Sequence, residues 1–424
     1  MNFVKKIIQT NLFKITSLNS LSILLKIGIG FITSKLMAVF VGPTGMALVG
    51  NLRNFSSSLE SISTLGFSNG IVKYVAESKS DKDQLQKIVS TVFISLLAVS
   101  LALSFILYFF ASFWSIQIFG NSFNYPIVFK ATALVLPWYS MSIFLLSLIN
   151  GLGKFKAVIW INILGNTIGL FVSIYMILNF KTLGALLSIV ISPALLFFAT
   201  FYFINKDFKF FKIIRFRYLD LFVLKNLSSY SLMALVSSVL GPLVYLAIRK
   251  NVIGTVGLEQ AGFWETITRI SNYYMMFVTT ILSIYFFPKL AAATSNHETK
   301  KIFWSFYKNI LPPFVIVLIV IYCTRFFIIK VLLTDEFLPV STLFFWQLAG
   351  DALRAASWIL GFQFFAKKMT RAFIISEIVS LVVLYLFSSW LVTIFGIRGV
   401  VMAQALDNFI YLIILGVYFR KSLF

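Results

Sequence analysis

The chain has 424 residues, 59% of them hydrophobic and only 12% charged, with a mean hydropathy of +0.94. Soluble globular proteins carry about 25% charged residues, so a soluble domain is excluded and a polytopic membrane protein is expected. The net charge of +22 would suggest nucleic-acid binding in a soluble chain, but most of the Lys and Arg fall in alternate short connections, the positive-inside pattern of membrane proteins, and no nucleic-acid partner is expected.

A bilayer core about 30 Å thick takes roughly 20 apolar residues per helix. Lys5, Lys6 and Lys14 precede an apolar run that starts near Leu21 and continues past Lys26 and Lys35 to Phe40. It lacks a short apolar core with a cleavage site and is expected to be an uncleaved first span. In the first half the expected spans lie near 16–40, 45–72, 88–114, 131–151, 157–178 and 182–204. In the second half they lie near 228–248, 256–287, 303–324, 340–366, 372–394 and 398–419.

Connections after even-numbered spans hold Lys79, Lys82 and Lys87, then Lys154 and Lys156, the run from Lys206 through Lys209 and Lys212 to Lys225, then Lys300 and Lys301, and finally Lys367, Lys368 and Arg371. Those after odd-numbered spans are sparse, and Ser115 to Pro126 has none. Both termini are therefore expected in the cytoplasm. The single cysteine, Cys323, is in an apolar stretch and the single histidine, His297, in a polar one. No intramolecular disulfide is possible, and no metal site or cofactor is expected.

The halves resemble each other. Arg53 and Lys73 recur as Arg269 and Lys289, 216 residues later, and Lys156-Ala157 falls on Arg371-Ala372 at an offset of 215. Six spans per copy, an even number, give parallel repeats. The expected fold is all-α, about 12 transmembrane helices in two parallel six-helix lobes around a central cavity: an N-lobe at 1–204, a basic cytoplasmic segment at 205–225 and a C-lobe at 226–424. Pro137, Pro193, Pro242, Pro312 and Pro313 lie within the spans, where a missing N–H kinks a helix. Gly28 and Gly30 follow no strand and read as close-packing glycines, and no Walker sequence occurs.

Charges inside the spans are the candidates for chemistry, because an ionised side chain at membrane depth is costly and usually faces a cavity or a partner. They are Lys26, Lys35, Arg53, Glu60, Glu265, Arg269, Asp351, Arg354, Glu377 and Asp407. Glu265 and Arg269, four apart, and Asp351 and Arg354, three apart, share a helix face and are expected to neutralise each other. Lys26, Lys35 and Arg53 have no acid at that spacing, which favours an anionic ligand, arginine being suited to phosphate by its planar fork. Glu60, Asp351, Glu377 and Asp407 are candidates for proton or sodium coupling.

The segments Leu25-Lys-Ile-Gly28, Ser34-Lys-Leu36, Gly42-Pro-Thr-Gly45, Asn51-Leu-Arg53, Asn69-Gly-Ile-Val-Lys-Tyr-Val-Ala-Glu77, Ser231-Leu-Met-Ala-Leu235 and Trp346-Gln-Leu-Ala-Gly-Asp351 resemble Wzx-type flippases of the multidrug/oligosaccharidyl-lipid/polysaccharide exporter superfamily. The likeness is greatest to members serving enterobacterial common antigen synthesis. The resemblance implies translocation of an undecaprenyl-diphosphate-linked oligosaccharide, an O-antigen or common-antigen type of repeat unit, from the cytoplasmic to the periplasmic leaflet of the inner membrane by alternating access. It implies that Lys26, Lys35, Arg53 and Arg269, on the first, second and eighth helices, serve the diphosphate or anionic sugars. A polysaccharide polymerase and a chain-length regulator of the same pathway are the partners to expect. Two other readings compete: a small-molecule antiporter of the same superfamily, which should expose unpaired acids, and a membrane polysaccharide polymerase, which should carry a large polar periplasmic loop.

Overall fold

The computed structural model describes residues 11–79, 81–207 and 214–423. Lys5, Lys6, Lys209 and Lys212 lie outside the described residues, as does the stretch 208–213 of the basic connection. The first hairpin consists of α1 (Asn11–Phe40) and α2 (Gly42–Ser63), with its turn made by Gly42 at φ +67°. Leu65 and Gly66 then take consecutive positive φ values, which a right-handed helix cannot absorb. The span expected at 45–72 therefore ends at Ser63, and the Asn69–Glu77 motif becomes a separate short helix, α3 (Ser68–Glu77).

Next comes α4 (Lys82–Phe109), capped by Asp81, whose carboxylate accepts from the N–H groups of Asp83 and Gln84 at 3.1 Å. It is followed by α5 (Ala111–Phe119), α6 (Pro126–Gly151) and α7 (Phe155–Asp207). The 53-residue α7 is interrupted at Lys181 (φ 48°, ψ −122°), so it supplies the two crossings expected at 157–178 and 182–204.

The second half runs through α8 (Leu221–Leu235), a π-helical turn at Val236–Leu240, α9 (Gly241–Val256) and α10 (Leu258–Ile281). A second π-helical turn, Leu282–Phe286, leads into α11 (Phe287–Ala292). Then follow α12 (Asn296–Asn309), α13 (Leu311–Cys323), α14 (Arg325–Leu332), a 3-10 stretch at Asp335–Thr342, α15 (Phe344–Ala366), α16 (Thr370–Phe395), α17 (Ile397–Tyr418) and α18 (Arg420–Leu423). Pro242 and Pro312 open α9 and α13, where the missing N–H would be unbonded anyway. Pro313 is the third residue of α13, and Pro137 and Pro193 lie further inside α6 and α7.

Among the described residues nine helices are long and apolar enough to cross a membrane, one of them the doubled α7. The two others of crossing length are α2 and α15, with 22 and 23 residues. Their lower apolarity comes from the polar candidates they carry, Arg53 and Glu60 on α2 and Asp351 and Arg354 on α15. Counting α7 twice, twelve crossings result. Large apolar side chains such as Phe105, Phe171 and Phe327 are more than 60% exposed, as lipid-facing residues must be.

Packing divides the chain into two compact units, one of residues 1–36 and 52–239, the other of 37–51 and 240–424. The core of the first unit joins α3, α4 and α6 through Val75, Val92, Leu96 and Phe144, all fully buried. Here Gly151 of α6 lies against Val75, leaving no room for a Cβ. The second unit takes the end of α1 and the start of α2 into its core. Met46, Ala47, Leu48 and Val49 are 0% exposed, and Gly262 of α10 sits directly on the carbonyl of Pro43.

Candidate substrate and ion sites

In the first unit, Lys26 and Lys35 both lie on α1, nine residues apart. Nine residues are two and a half turns at 3.6 per turn, so an unbroken helix sends the two ammonium groups to opposite sides. Their environments agree with this, Lys26 being exposed and Lys35 half-buried. Arg53, on α2 one turn beyond the buried segment 46–49, is half-buried. Glu60, on the same helix, is hydrogen-bonded to Tyr139 of α6. Together they line a pocket of about 30 Å³ with Ser56, Thr132 and Pro193, room for one or two water molecules.

Arg269 is half-buried in the second unit, where its Nε donates to the Tyr273 hydroxyl at 2.9 Å and its Nη1 lies 3.1 Å from the Met37 sulfur. The repeat extends to the neighbouring lysines. Lys73 falls on α3 and Lys289 on α11, each a short helix just past the one that carries the arginine. Lys73 pairs with Glu77 at 3.6 Å, and Lys289 donates to the Tyr285 hydroxyl at 2.6 Å.

Sequence spacing paired Glu265 with Arg269, but the structure gives Glu265 another ion-pair partner, Arg249. The Arg249 Nη2 donates to Glu265 Oε2 at 2.7 Å, with the two side chains 1% and 4% exposed. The guanidinium lies over the Trp264 ring at 4.9 Å, and Tyr245, one turn earlier on α9, stacks on Trp264 at an interplanar angle of 13°. A Cβ at Gly50 would overlap the guanidinium and the Glu265 carboxylate together. Arg249 is absent from the sequence-based candidates because it ends an apolar run beside Lys250 and has no counterpart at the repeat offset, where Thr33 stands. A signal was nonetheless present: Arg249 and Glu265 are equidistant from Gly257, the turn of an antiparallel helix hairpin.

Asp351 also departs from the expected pairing with Arg354. It is 1% exposed and accepts from three neutral donors: Ser271 Oγ at 2.6 Å, Tyr274 Oη at 2.5 Å, both from α10, and Gln347 Nε2 at 3.2 Å from its own helix. The Arg354 guanidinium instead lies over the Trp358 ring at 4.7 Å. It stays within electrostatic reach of Asp351, Glu377 and Asp407 alike. Asp407, on α17, accepts from Ser380 Oγ of α16 at 2.9 and 3.1 Å. Three carboxyl groups of the second unit thus share one arginine, a surplus of acid that suits a bound proton or cation.

The polysaccharide biosynthesis protein family matches residues 12–294. The Lipid III flippases of Escherichia coli (strain K12) and Shigella flexneri are each 30% identical to the chain over 397 residues, 92% of this chain and 94% of theirs. Among solved structures, an inward-facing multidrug resistance MATE family transporter of the MOP superfamily aligns with a TM-score of 0.74 at 14% identity, covering 94% of both chains. The lipid II flippase MurJ in its inward closed conformation aligns with a TM-score of 0.72 at 15% identity, covering 95% of this chain and 87% of that one. Both share the all-helical fold found here.

Proposed function

Because the chain belongs to the polysaccharide biosynthesis protein family, we propose that it is a flippase that carries an undecaprenyl-diphosphate-linked oligosaccharide from the cytoplasmic to the periplasmic leaflet of the bacterial inner membrane. It is a multi-pass membrane transporter and not an enzyme. The observation that carries the substrate class is the 30% identity to Lipid III flippases over 92% of this chain and 94% of theirs. The glycan is of the O-antigen or enterobacterial-common-antigen type.

Both termini are cytoplasmic, on the asymmetry of loop charge. Two six-helix lobes, 1–204 and 226–424 joined by 205–225, work by alternating access, each carrying its copy of the repeated Arg and Lys. Lys35, Arg53 and Arg269, half-buried cations, hold the diphosphate or a sugar carboxylate, and the exposed Lys26 meets the lipid-linked anion at a separate point on α1. Glu60, Asp351, Glu377 and Asp407 couple the movement to a proton or sodium ion, with the Asp351 and Asp407 carboxylates already set among hydroxyl donors. The glycan leaves for a polymerase and a chain-length regulator of the same pathway.

Reconstitution tests the reading. Proteoliposomes should move an undecaprenyl-diphosphate-linked glycan between leaflets, measured by access of the sugar to an external glycosidase. Depletion in cells should make that intermediate accumulate on the cytoplasmic leaflet. Export of cationic dyes without movement of the glycan lipid would establish the antiporter instead.

A further inference from the structure

Residues 37–51 belong to the core of the second unit, yet the chain on both sides of them belongs to the first. The hairpin formed by the end of α1 and the start of α2 is therefore tethered by two mid-helix crossings, at 36–37 and 51–52. Its seat is unusual in two respects. Besides its buried side chains, the hairpin makes two close approaches at glycines, Gly50 on the Arg249–Glu265 pair and the Pro43 carbonyl on Gly262. Beneath it lie buried donors that find no acceptor among the described residues: Nε and Nη1 of Arg249 and Nε1 of Trp264.

A guanidinium has five N–H groups in a rigid fork, and Glu265 is bonded to Nη2. A buried donor without a partner has lost its water and gained nothing in return, so the seated arrangement leaves free energy that an acceptor could recover. An acceptor suited to the remaining donors of a guanidinium is a doubly liganding oxyanion, phosphate or carboxylate. With the hairpin seated, Gly50 occupies the approach.

Resting on the flippase reading above, we propose that Arg249 is a further substrate-binding residue, covered by the 37–51 hairpin in this state and exposed when the hairpin lifts to receive an anionic group of the lipid-linked glycan. The Glu265 carboxylate keeps the guanidinium oriented and compensated while it is covered. The indole of Trp264 supplies a ring for it to lie on and one further donor.

Two measurements on the full-length protein test this. First, Leu48→Cys or Ala47→Cys, whichever retains flipping in a Cys323→Ser background, is treated with a membrane-impermeant maleimide during turnover. Slow labelling, accelerated by Gly50→Val, is expected; a native thiol that reacts only after denaturation, in protein that still flips, overturns the lifting hairpin. Second, Arg249→Gln/Glu265→Gln removes both charges so that neither is left buried alone. In proteoliposomes it should move undecaprenyl diphosphate and its glycan-bearing form at least about tenfold more slowly than wild type, the loss of one charge-assisted contact, at normal abundance. Loss with both lipids assigns the anion to the diphosphate, and loss only with a uronate-bearing glycan assigns it to the sugar carboxylate. Flipping of both at the wild-type rate overturns the role of Arg249 while leaving the flippase reading intact. Wild-type protein that moves neither lipid removes both.

Discussion

Arg249 and Glu265 stand eight residues either side of Gly257, at the same depth on adjacent helices, and form a 2.7 Å ion pair that is almost fully buried. Breaking such a pair from one side leaves a charge buried without compensation, which costs about 3–5 kcal/mol, whereas removing both partners is often close to neutral. Arg249→Ala should therefore lower the melting temperature and membrane abundance of the purified protein, and Arg249→Ala/Glu265→Gln should recover much of the loss. Equal loss in the single and double variants would show that packing over Trp264 outweighs charge.

Gly50 and Gly28 make a matched pair of positions within helices. A Cβ at Gly50 strikes the buried ion pair, while one at Gly28 meets nothing within 4 Å. Gly50→Ala is expected to destabilise by about 1–3 kcal/mol through overpacking. Gly28→Ala should be neutral or stabilising by up to about 1 kcal/mol, from helix propensity. Thermal unfolding followed by tryptophan fluorescence in detergent separates the two.

Among the described residues, Asp351 sits among three donors and no bonded cation. Asp351→Asn keeps the volume and removes the charge, at the expense of turning an amide N–H₂ toward donors. If Asp351 binds the coupling ion, the variant should still insert and should lose the dependence of flipping on an imposed pH or sodium gradient. An unchanged dependence would move the role to Glu60, Glu377 or Asp407, tested by the same substitution to the amide.

The repeated arginines give a test that separates fork from charge. Arg53→Ala and Arg269→Ala should abolish flipping at normal protein levels. Arg53→Lys and Arg269→Lys should retain a fraction, because a point charge survives and the planar pair of donors does not. For Arg269 a competing role exists in its bond to Tyr273. Tyr273→Phe that flips normally would exclude that bond as the reason for the loss.

Orientation can be read with single cysteines in the Cys323→Ser background. Asn121 and Lys79 are both exposed. In intact spheroplasts Asn121→Cys should react with an impermeant thiol reagent and Lys79→Cys should react only after permeabilisation. Ser422, also in an end expected to be cytoplasmic, is a poor site for this purpose, since it is buried and donates to Asn296 at 2.8 Å. Labelling of Lys79→Cys from outside would invert the topology.

Hydropathy and loop charge made the crossings legible because both follow from the bilayer, which acts on every residue in the same way. Even the doubled α7 was readable, since Lys181 interrupts two apolar runs. Less legible was what each polar side chain touches. A spacing of three or four places Arg354 and Arg269 on the same face as an acid, but the donors that Asp351 selects, Ser271 and Tyr274, come from a helix some 80 residues earlier. They are ordinary residues in an apolar stretch until the helices meet. The prolines do lie inside candidate spans, Pro242 in Val236–Val256 and Pro312 and Pro313 in Asn296–Cys323, but the sequence did not announce the π-helical turn at Val236–Leu240 or the turn at Ile310 that precede them.

The burial of residues 37–51 within the second unit also sets an order of events during synthesis. Translation proceeds at about 5–20 residues per second, so roughly two hundred further residues, and some 10–40 s, separate the emergence of this hairpin from that of α9 and α10. Throughout that interval Glu265 and Arg249 do not yet exist to receive Gly50, nor Gly262 to receive the Pro43 carbonyl. The 37–51 hairpin thus waits for native neighbours made some two hundred residues after it.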